Sequence, residues 1–287
     1  MSTSADFRNQ IKPNWCPGCG HYALQNALQQ AAAHANIEPH QLAVISGIGC
    51  SGRLSGYMYA YGVHGIHGRA LPIAQGVKMG NRDLTVVACG GDGDGFAIGL
   101  GHTIHAMKRN MDITYIVLDN HVYGLTKGQT SPRSDLGFQT KTTPNGATES
   151  PISAIELALA SGASFVAQGF SQNIKELTSL VEQGIRHKGF SFINVFSPCV
   201  TFNKVNTYEW YKNHLTSLQD IHNYDSMNRS QAMEVSMAHD GLITGLIYRN
   251  KEKRSYQTTI DVNKQPLAQL NRTPDKEILE KLISEFI

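Results

Sequence analysis

The chain has 287 residues, 41% of them hydrophobic, and 25 Lys and Arg against 23 Asp and Glu give a net charge of +2. That length builds one large domain or two small ones, and that charge argues against nucleic acid or an anionic membrane as the partner. The first ten residues are polar and no run of about 18 apolar residues occurs, so a cytoplasmic, non-membrane protein is expected.

Trp15-Cys16-Pro17-Gly18-Cys19-Gly20-His21 places two thiols in a tight turn. Such a pair serves redox exchange, half a zinc site or half an iron–sulfur site. The redox use fits poorly, because polar, irregular sequence rather than a strand precedes Cys16. Residues 22–35 read as a helix. Leu42-Ala43-Val44-Ile45 reads as a strand that runs into Ser46-Gly47-Ile48-Gly49-Cys50-Ser51-Gly52-Arg53, putting a third thiol at a glycine-rich strand end. Residues 57–70 are aromatic and glycine-rich, with His67 a candidate accessible polar group. Residues 71–79 then form a small-residue helix.

Thr85-Val86-Val87-Ala88-Cys89 predicts a buried parallel strand, in which Cys89 is a core residue. It turns into Gly90-Gly91-Asp92-Gly93-Asp94-Gly95 and then a helix, a geometry that binds anions. A carboxylate beside a phosphate needs a hard cation between them. Magnesium held by Asp92, the Asn120 amide and a carbonyl near Val122 meets that need. A dinucleotide loop lacks its third glycine here, and no Gly-Lys-Ser or Gly-Lys-Thr follows to make a Walker loop. The next strand, 113–118, ends in Asp119-Asn120-His121-Val122-Tyr123-Gly124, and Lys127 follows where it could meet an anionic substrate.

Residues 133–150 form a long aperiodic loop, of the kind that is often functional and here is expected beside the site. Helix, strand, helix and strand follow at 152–161, 164–169, 174–187 and 191–196, the last running into Ser197-Pro198-Cys199. The alternation predicts an α/β fold with one doubly wound, mostly parallel sheet. Its ligands belong outside the carboxyl ends of the strands, so Cys50 and the Asp92 loop are expected to face one crevice. Residues 1–205 carry all of this. Residues 206–287 read as a C-terminal extension for packing or for contact with another subunit, with a short helix at 230–238 and a last one at 274–286 capped by Thr273.

Gly91-Asp92-Gly93 followed by Asn120 resembles the thiamine diphosphate motif. Joined to Cys16-Pro17-Gly18-Cys19-Gly20-His21, Ile48-Gly49-Cys50-Ser51-Gly52, His64-Gly65-Ile66-His67-Gly68-Arg69, Tyr123-Gly124-Leu125-Thr126-Lys127-Gly128-Gln129 and Ser197-Pro198-Cys199, it resembles the beta subunit of 2-oxoacid:ferredoxin oxidoreductases over residues 12–205. The resemblance implies thiamine diphosphate with Mg2+, bound by Gly91, Asp92, Gly93, Asp94, Asn120, Val122, Tyr123, Gly124, Leu125, Thr126, Cys50 and Ser51. It further implies a [4Fe–4S] cluster on Cys16, Cys19, Cys50 and Cys199, and roles in catalysis for Lys127, Ile48 and His67. The reaction implied is coenzyme A-dependent oxidative decarboxylation of a 2-oxo acid with electrons passed to ferredoxin. 2-Oxoglutarate is favoured over pyruvate or a broad range. Thiamine enzymes need a glutamate to activate the cofactor's pyrimidine ring, and none occurs between Glu38 and Glu149. An alpha subunit in an αβ or α2β2 assembly is therefore expected to complete the site. The rival from another class is a non-enzymatic, zinc-stabilised interaction or nucleotide-sensing protein.

Overall fold

The computed structural model describes residues 2–260, 266–269 and 275–286. Ten strands alternate with helices among these residues. They are β1 (Leu42–Ser46), β2 (Tyr61–His64), β3 (Thr85–Gly91), β4 (Ile113–Asp119), β5 (Val122–Tyr123), β6 (Gln129–Thr130), β7 (Phe165–Phe170), β8 (Phe190–Phe196), β9 (Thr216–Ser217) and β10 (Ile243–Arg249). The helices that cover the sheet are α1 (His21–His34), α2 (Ala70–Gly80), α3 (Leu100–Arg109), α4 (Ala154–Ala160), α5 (Ile174–Arg186), α6 (Tyr208–His214) and α7 (Arg229–Ala238). Eight strands form one sheet in the order β2-β1-β3-β4-β8-β7-β10-β9, parallel except where β10 meets β7.

Both faces are covered, so the central strands are apolar throughout and their side chains alternate between two cores. Ala43 and Ile45, Val86 and Ala88, and Tyr115 and Val117 pack under α2, α3 and α4. Leu42 and Val44, Val87 and Cys89, and Ile116 and Leu118 pack under α1 and α5. Cys89 is fully buried there, a small apolar residue of the core as read from its strand. The helices are amphipathic instead: α5 buries Leu177, Thr178, Leu180, Val181, Gly184 and Ile185 along one face. Between β1 and β3 the chain changes winding direction, since β1 leads outward to β2 while β3 leads the other way to β4. That switch point opens a crevice at the carboxyl ends of both strands.

The structure adds and corrects elements. β2 is an edge strand whose residues are all exposed, so it lacks the apolar signature of its neighbours. β5 and β6 pair as a tiny antiparallel hairpin inside the polar stretch after Asn120. Within the C-terminal extension, β10 pairs with β7, and Ile243 and Ile247 are fully buried in the same core as Ala158 and Phe192. A register shift between Leu246 and Tyr248, and Gly245 at φ +125°, break the period that would have announced this strand. The final helix, α9, follows α8 (Tyr256–Thr259) and spans Lys276–Ser284. Its N-cap is Asp275, which accepts from the Glu277 amide, while Thr273 and Pro274 lie outside the described residues. Among the described residues no helix is long and apolar enough to cross a membrane.

Candidate active site

The crevice at the switch point is lined by Ile48, Cys50, Ser51, His67, Gly91, Asp92, Gly93, Asp94, Asn120, Val122, Tyr123, Gly124, Leu125, Thr126 and, from α1, His21. The sequence-predicted cofactor residues therefore share one cavity. It measures about 80 Å3.

Asp94 ties the loops together. Its Oδ1 accepts from the amides of Ile48 (3.0 Å) and Gly68 (2.8 Å) and lies 2.9 Å from Nδ1 of His67. A β-carbon on Gly47 would stand 1.9 Å from Asp94 Oδ2, so glycine there is what lets the carboxylate reach across. Burial pushes the Asp94 carboxyl above its usual range, against the pull of those two amides and of His67. His67 is thus brought to the site as a partner of Asp94, its ring edge-on to Tyr123 at 6.2 Å. Gly93 sits under Tyr123: a β-carbon would come within 2.1 Å of its ring, and Tyr123 donates to the Gly93 carbonyl at 3.2 Å.

Asp92 is 2% exposed and accepts a hydrogen bond from Ser131. Burial, and then the carboxylate of Asp119 behind it, raise its pKa to about 7. An acid so placed is costly to ionise without a cation, which is the donor chemistry a bound magnesium would complete. Asp119 stays ionised. Burial pushes it upward, but Arg133 at 2.9 Å and His121 at 3.5 Å outweigh that and hold it below the usual range. Asn194 also donates to it, at 3.1 Å. The Asn120 amide oxygen accepts from the Val122 N–H (3.1 Å) in a turn where His121 takes the left-handed φ of +59°, and Asn203 holds the Asn120 carbonyl (3.1 Å).

Lys127 does not line the cavity. It is exposed at the tip of the β5–β6 hairpin with φ +76°, a conformation that disfavours a non-glycine residue. Leu125 is also largely exposed, and Thr126 donates to Gln129 at 2.5 Å across the hairpin.

Cys50 and Cys199 meet beside Gly124, and Cys16 and Cys19 lie close enough to interact with them. A β-carbon on Gly124 would lie 3.6 Å from the Cys199 sulfur and 3.7 Å from that of Cys50, so the bare glycine backs the space between them. Cys19 feels the charge of Cys199, Cys50 and Cys16, and Cys50 that of Cys199 and Cys16. Burial, reinforced by those neighbours, raises the Cys19 thiol to about 12 and raises Cys50 as well. A closed zinc site brings its sulfurs to about 3.8 Å of one another. Among the described residues no three His, Cys, Asp or Glu groups close on a single ion. Four thiols beside a bare glycine are the donor set that a [4Fe–4S] cluster would take.

Sequence reasoning missed two features. His21 stands between the thiols and the crevice, 1% exposed, its Nδ1 3.3 Å from Cys19 Sγ and 3.0 Å from Ser197 Oγ. Burial lowers its pKa to about 4. The second is the Asp119–Arg133–His121 group under Asp92, with Asp135 and Asn206 bonded at 2.9 Å at its edge. The one signal for it was a charged residue ending an apolar strand.

Residues 47–195 match the family described as thiamine pyrophosphate enzyme, C-terminal TPP binding domain, and residues 199–265 match the C terminal of the pyruvate ferredoxin oxidoreductase beta subunit. The chain is 39% identical to the 2-oxoacid:ferredoxin oxidoreductase subunit beta of a Sulfolobus species, over 93% of this chain and 91% of that one. It is 37% identical to the 2-oxoglutarate synthase subunit KorB of Methanothermobacter thermautotrophicus, over 79% of each. It superposes with a TM-score of 0.89, at 36% identity and over 98% of this chain and 96% of that one, on a structure of 2-oxoglutarate:ferredoxin oxidoreductase from Magnetococcus marinus with 2-oxoglutarate, coenzyme A and succinyl-CoA bound. Coverage of nearly the whole chain, together with a crevice that gathers the cofactor loop and Cys50, settles the family: the chain belongs to the beta subunits of 2-oxoacid:ferredoxin oxidoreductases.

Proposed function

We propose that this beta subunit, joined to an alpha subunit, catalyses coenzyme A-dependent oxidative decarboxylation of 2-oxoglutarate and passes the electrons to ferredoxin. The observation that carries the reading is the single crevice that the buried Asp92 and Cys50 both line. Family membership removes the zinc-stabilised, non-enzymatic reading.

In this reading Asp92, Asn120 and the Val122 carbonyl hold Mg2+, and Gly91, Gly93, Tyr123 and Thr126 frame the pyrophosphate. Cys16, Cys19, Cys50 and Cys199 hold a [4Fe–4S] cluster. When bound, the thiamine ring stabilises a carbanion and the cluster accepts electrons singly. This chain's residues do the rest by placement. Ser131 fixes Asp92 by donating to it from behind, and Asp94 fixes Ile48 and His67 at the cavity wall. Lys127, on its strained tip, offers an ammonium to the substrate carboxylate from the open side. The 2-oxoglutarate assignment draws on the names of the KorB relatives and of the Magnetococcus enzyme, while the C-terminal family description names pyruvate.

An anaerobic assay decides among these. The purified chain, alone and with its alpha subunit, is given 2-oxoglutarate, pyruvate and branched 2-oxo acids with ferredoxin or viologen as acceptor. Turnover on 2-oxoglutarate only in the complex is expected. Robust turnover by the single chain, or preference for pyruvate, would overturn the corresponding part. Lys127→Ala is expected to raise the KM for the 2-oxo acid, and an unchanged KM and kcat would remove that role.

A further inference from the structure

His21 is the first residue of α1, two positions after Cys19, and it has no part in the roles above. Its ring is buried, meets Trp15 edge-on at 5.5 Å, and lines the crevice beside Cys50. One atom, Nδ1, faces both the Cys19 sulfur at 3.3 Å and the Ser197 hydroxyl oxygen at 3.0 Å. Ser197 lies two residues before Cys199, so a single imidazole links the first cysteine turn to the last cysteine segment. Gly20 makes this possible, because a β-carbon there would stand 2.5 Å from Ser197 Oγ. Trp15 adds a second tie, donating from its indole N–H to the Cys50 carbonyl at 2.7 Å.

We propose that His21 is a positioning residue whose Nδ1–H donates to the Cys19 sulfur and raises the reduction potential of the cluster, with Ser197 aiming the ring. This rests on the cluster assignment made above. A sulfur bonded to iron carries no proton, so a nitrogen 3.3 Å from it is attractive only if the nitrogen carries one. The bond spreads negative charge off the cluster, and it is worth more in the reduced state, which holds one electron more. Ser197 takes a share of the same proton and so moderates the effect.

The test is an EPR-monitored redox titration of the reconstituted complex. His21→Leu is expected to move the midpoint to more negative potential, so that at the wild-type midpoint the reduced-to-oxidised ratio falls about tenfold, equal to about 59 mV for one electron. His21→Asn sets an amide N–H near the position of Nδ1 and is expected to restore most of the wild-type value. Ser197→Ala leaves the proton to sulfur alone and is expected to move the midpoint the other way. A midpoint unmoved by His21→Leu, or moved as far by His21→Asn, would overturn the proposal. If His21→Leu fails to load a cluster, the asparagine and Ser197 variants decide, and a Ser197→Ala midpoint that stays put or falls counts against it. A wild-type complex with no reducible cluster removes the cluster assignment and this inference together. A wild-type cluster with unmoved variants removes this inference alone.

Discussion

The two ends of the sheet are built from the same strands and differ in how their polar groups are satisfied. At the amino ends, Asn110 uses its whole hydrogen-bonding capacity. Its Oδ1 accepts from Ser164 Oγ (2.5 Å) and the Phe190 amide (2.9 Å), and its Nδ2 donates to the carbonyls of Lys253 (3.3 Å) and Arg254 (3.0 Å). At the carboxyl ends, Asp119 leaves Oδ1 without a hydrogen bond, Asp92 is buried with a pKa near 7, and four thiols face one another. The Asn110 cluster is complete as it stands. The second end holds a buried acid and four thiols, the donors to which Mg2+ and a cluster are assigned in the function proposed above.

The sharpest way to break this comparison is to neutralise Asp92. Asp92→Asn is expected to cost 2-oxo acid turnover about 10³-fold or more, roughly 4 kcal/mol, because the cation loses its anionic ligand. The apo chain is expected to unfold no lower than wild type, since a buried carboxylate is exchanged for a neutral amide. A large loss of melting temperature with activity retained would show the charge to be structural. Asn110→Ala makes the opposite prediction. It strands the Phe190 amide and the hydroxyl of Ser164, with an expected loss of about 3 kcal/mol in denaturant unfolding, at about 1–3 kcal/mol per buried group left unpaired. Assayed at low temperature in the complex, its kcat should match wild type.

These two ends were not equally legible. The carboxyl ends announced themselves, because glycines after an apolar run, an isolated Asp92 and cysteines at strand ends are local patterns. Even there, His21 was passed over: its meaning lies in Ser197, 176 residues away, and no local pattern carries that pairing. Lys127 was legible as a charge but not as a residue exposed outside the cavity. The amino ends were silent, since Asn110, Ser164 and His187 look like ordinary turn residues until the strands bring them together. β10 escaped for a related reason. Its partner is β7, far back in the chain, and its glycine and register shift disrupt the alternation by which strands are recognised.

A subtler probe of the amino end is pH. Ser164 gives its one proton to Asn110, so it accepts from His187 Nε2–H at 2.7 Å, a bond that the neutral and the protonated ring can both make. Burial lowers its pKa to about 4 against about 6.5 when unfolded. Protonation therefore favours the unfolded chain, and stability falls as pH drops from 6.5 towards 4, by up to about 3 kcal/mol. Comparing urea midpoints at pH 7.5 and 5 for wild type and His187→Gln isolates this contribution. The variant is expected to lose less on acidification, and equal losses would show that His187 is not the titrating group.

The smallest expected effect sharpens the other end. A methyl on Gly124 would lie at ordinary contact distance, 3.6 and 3.7 Å, from the sulfurs of Cys199 and Cys50. Gly124 is absent from the residues with positive φ, so alanine meets no backbone strain there. Gly124→Ala is expected to fold within about 0.5 kcal/mol of wild type and to retain iron and sulfide, with a perturbed visible band. Gly124→Leu carries the side chain into the space between the thiols and is expected to lose the iron while keeping the fold. If the leucine variant keeps full iron and an unaltered spectrum, the space behind Gly124 is not where the thiolates meet their metal.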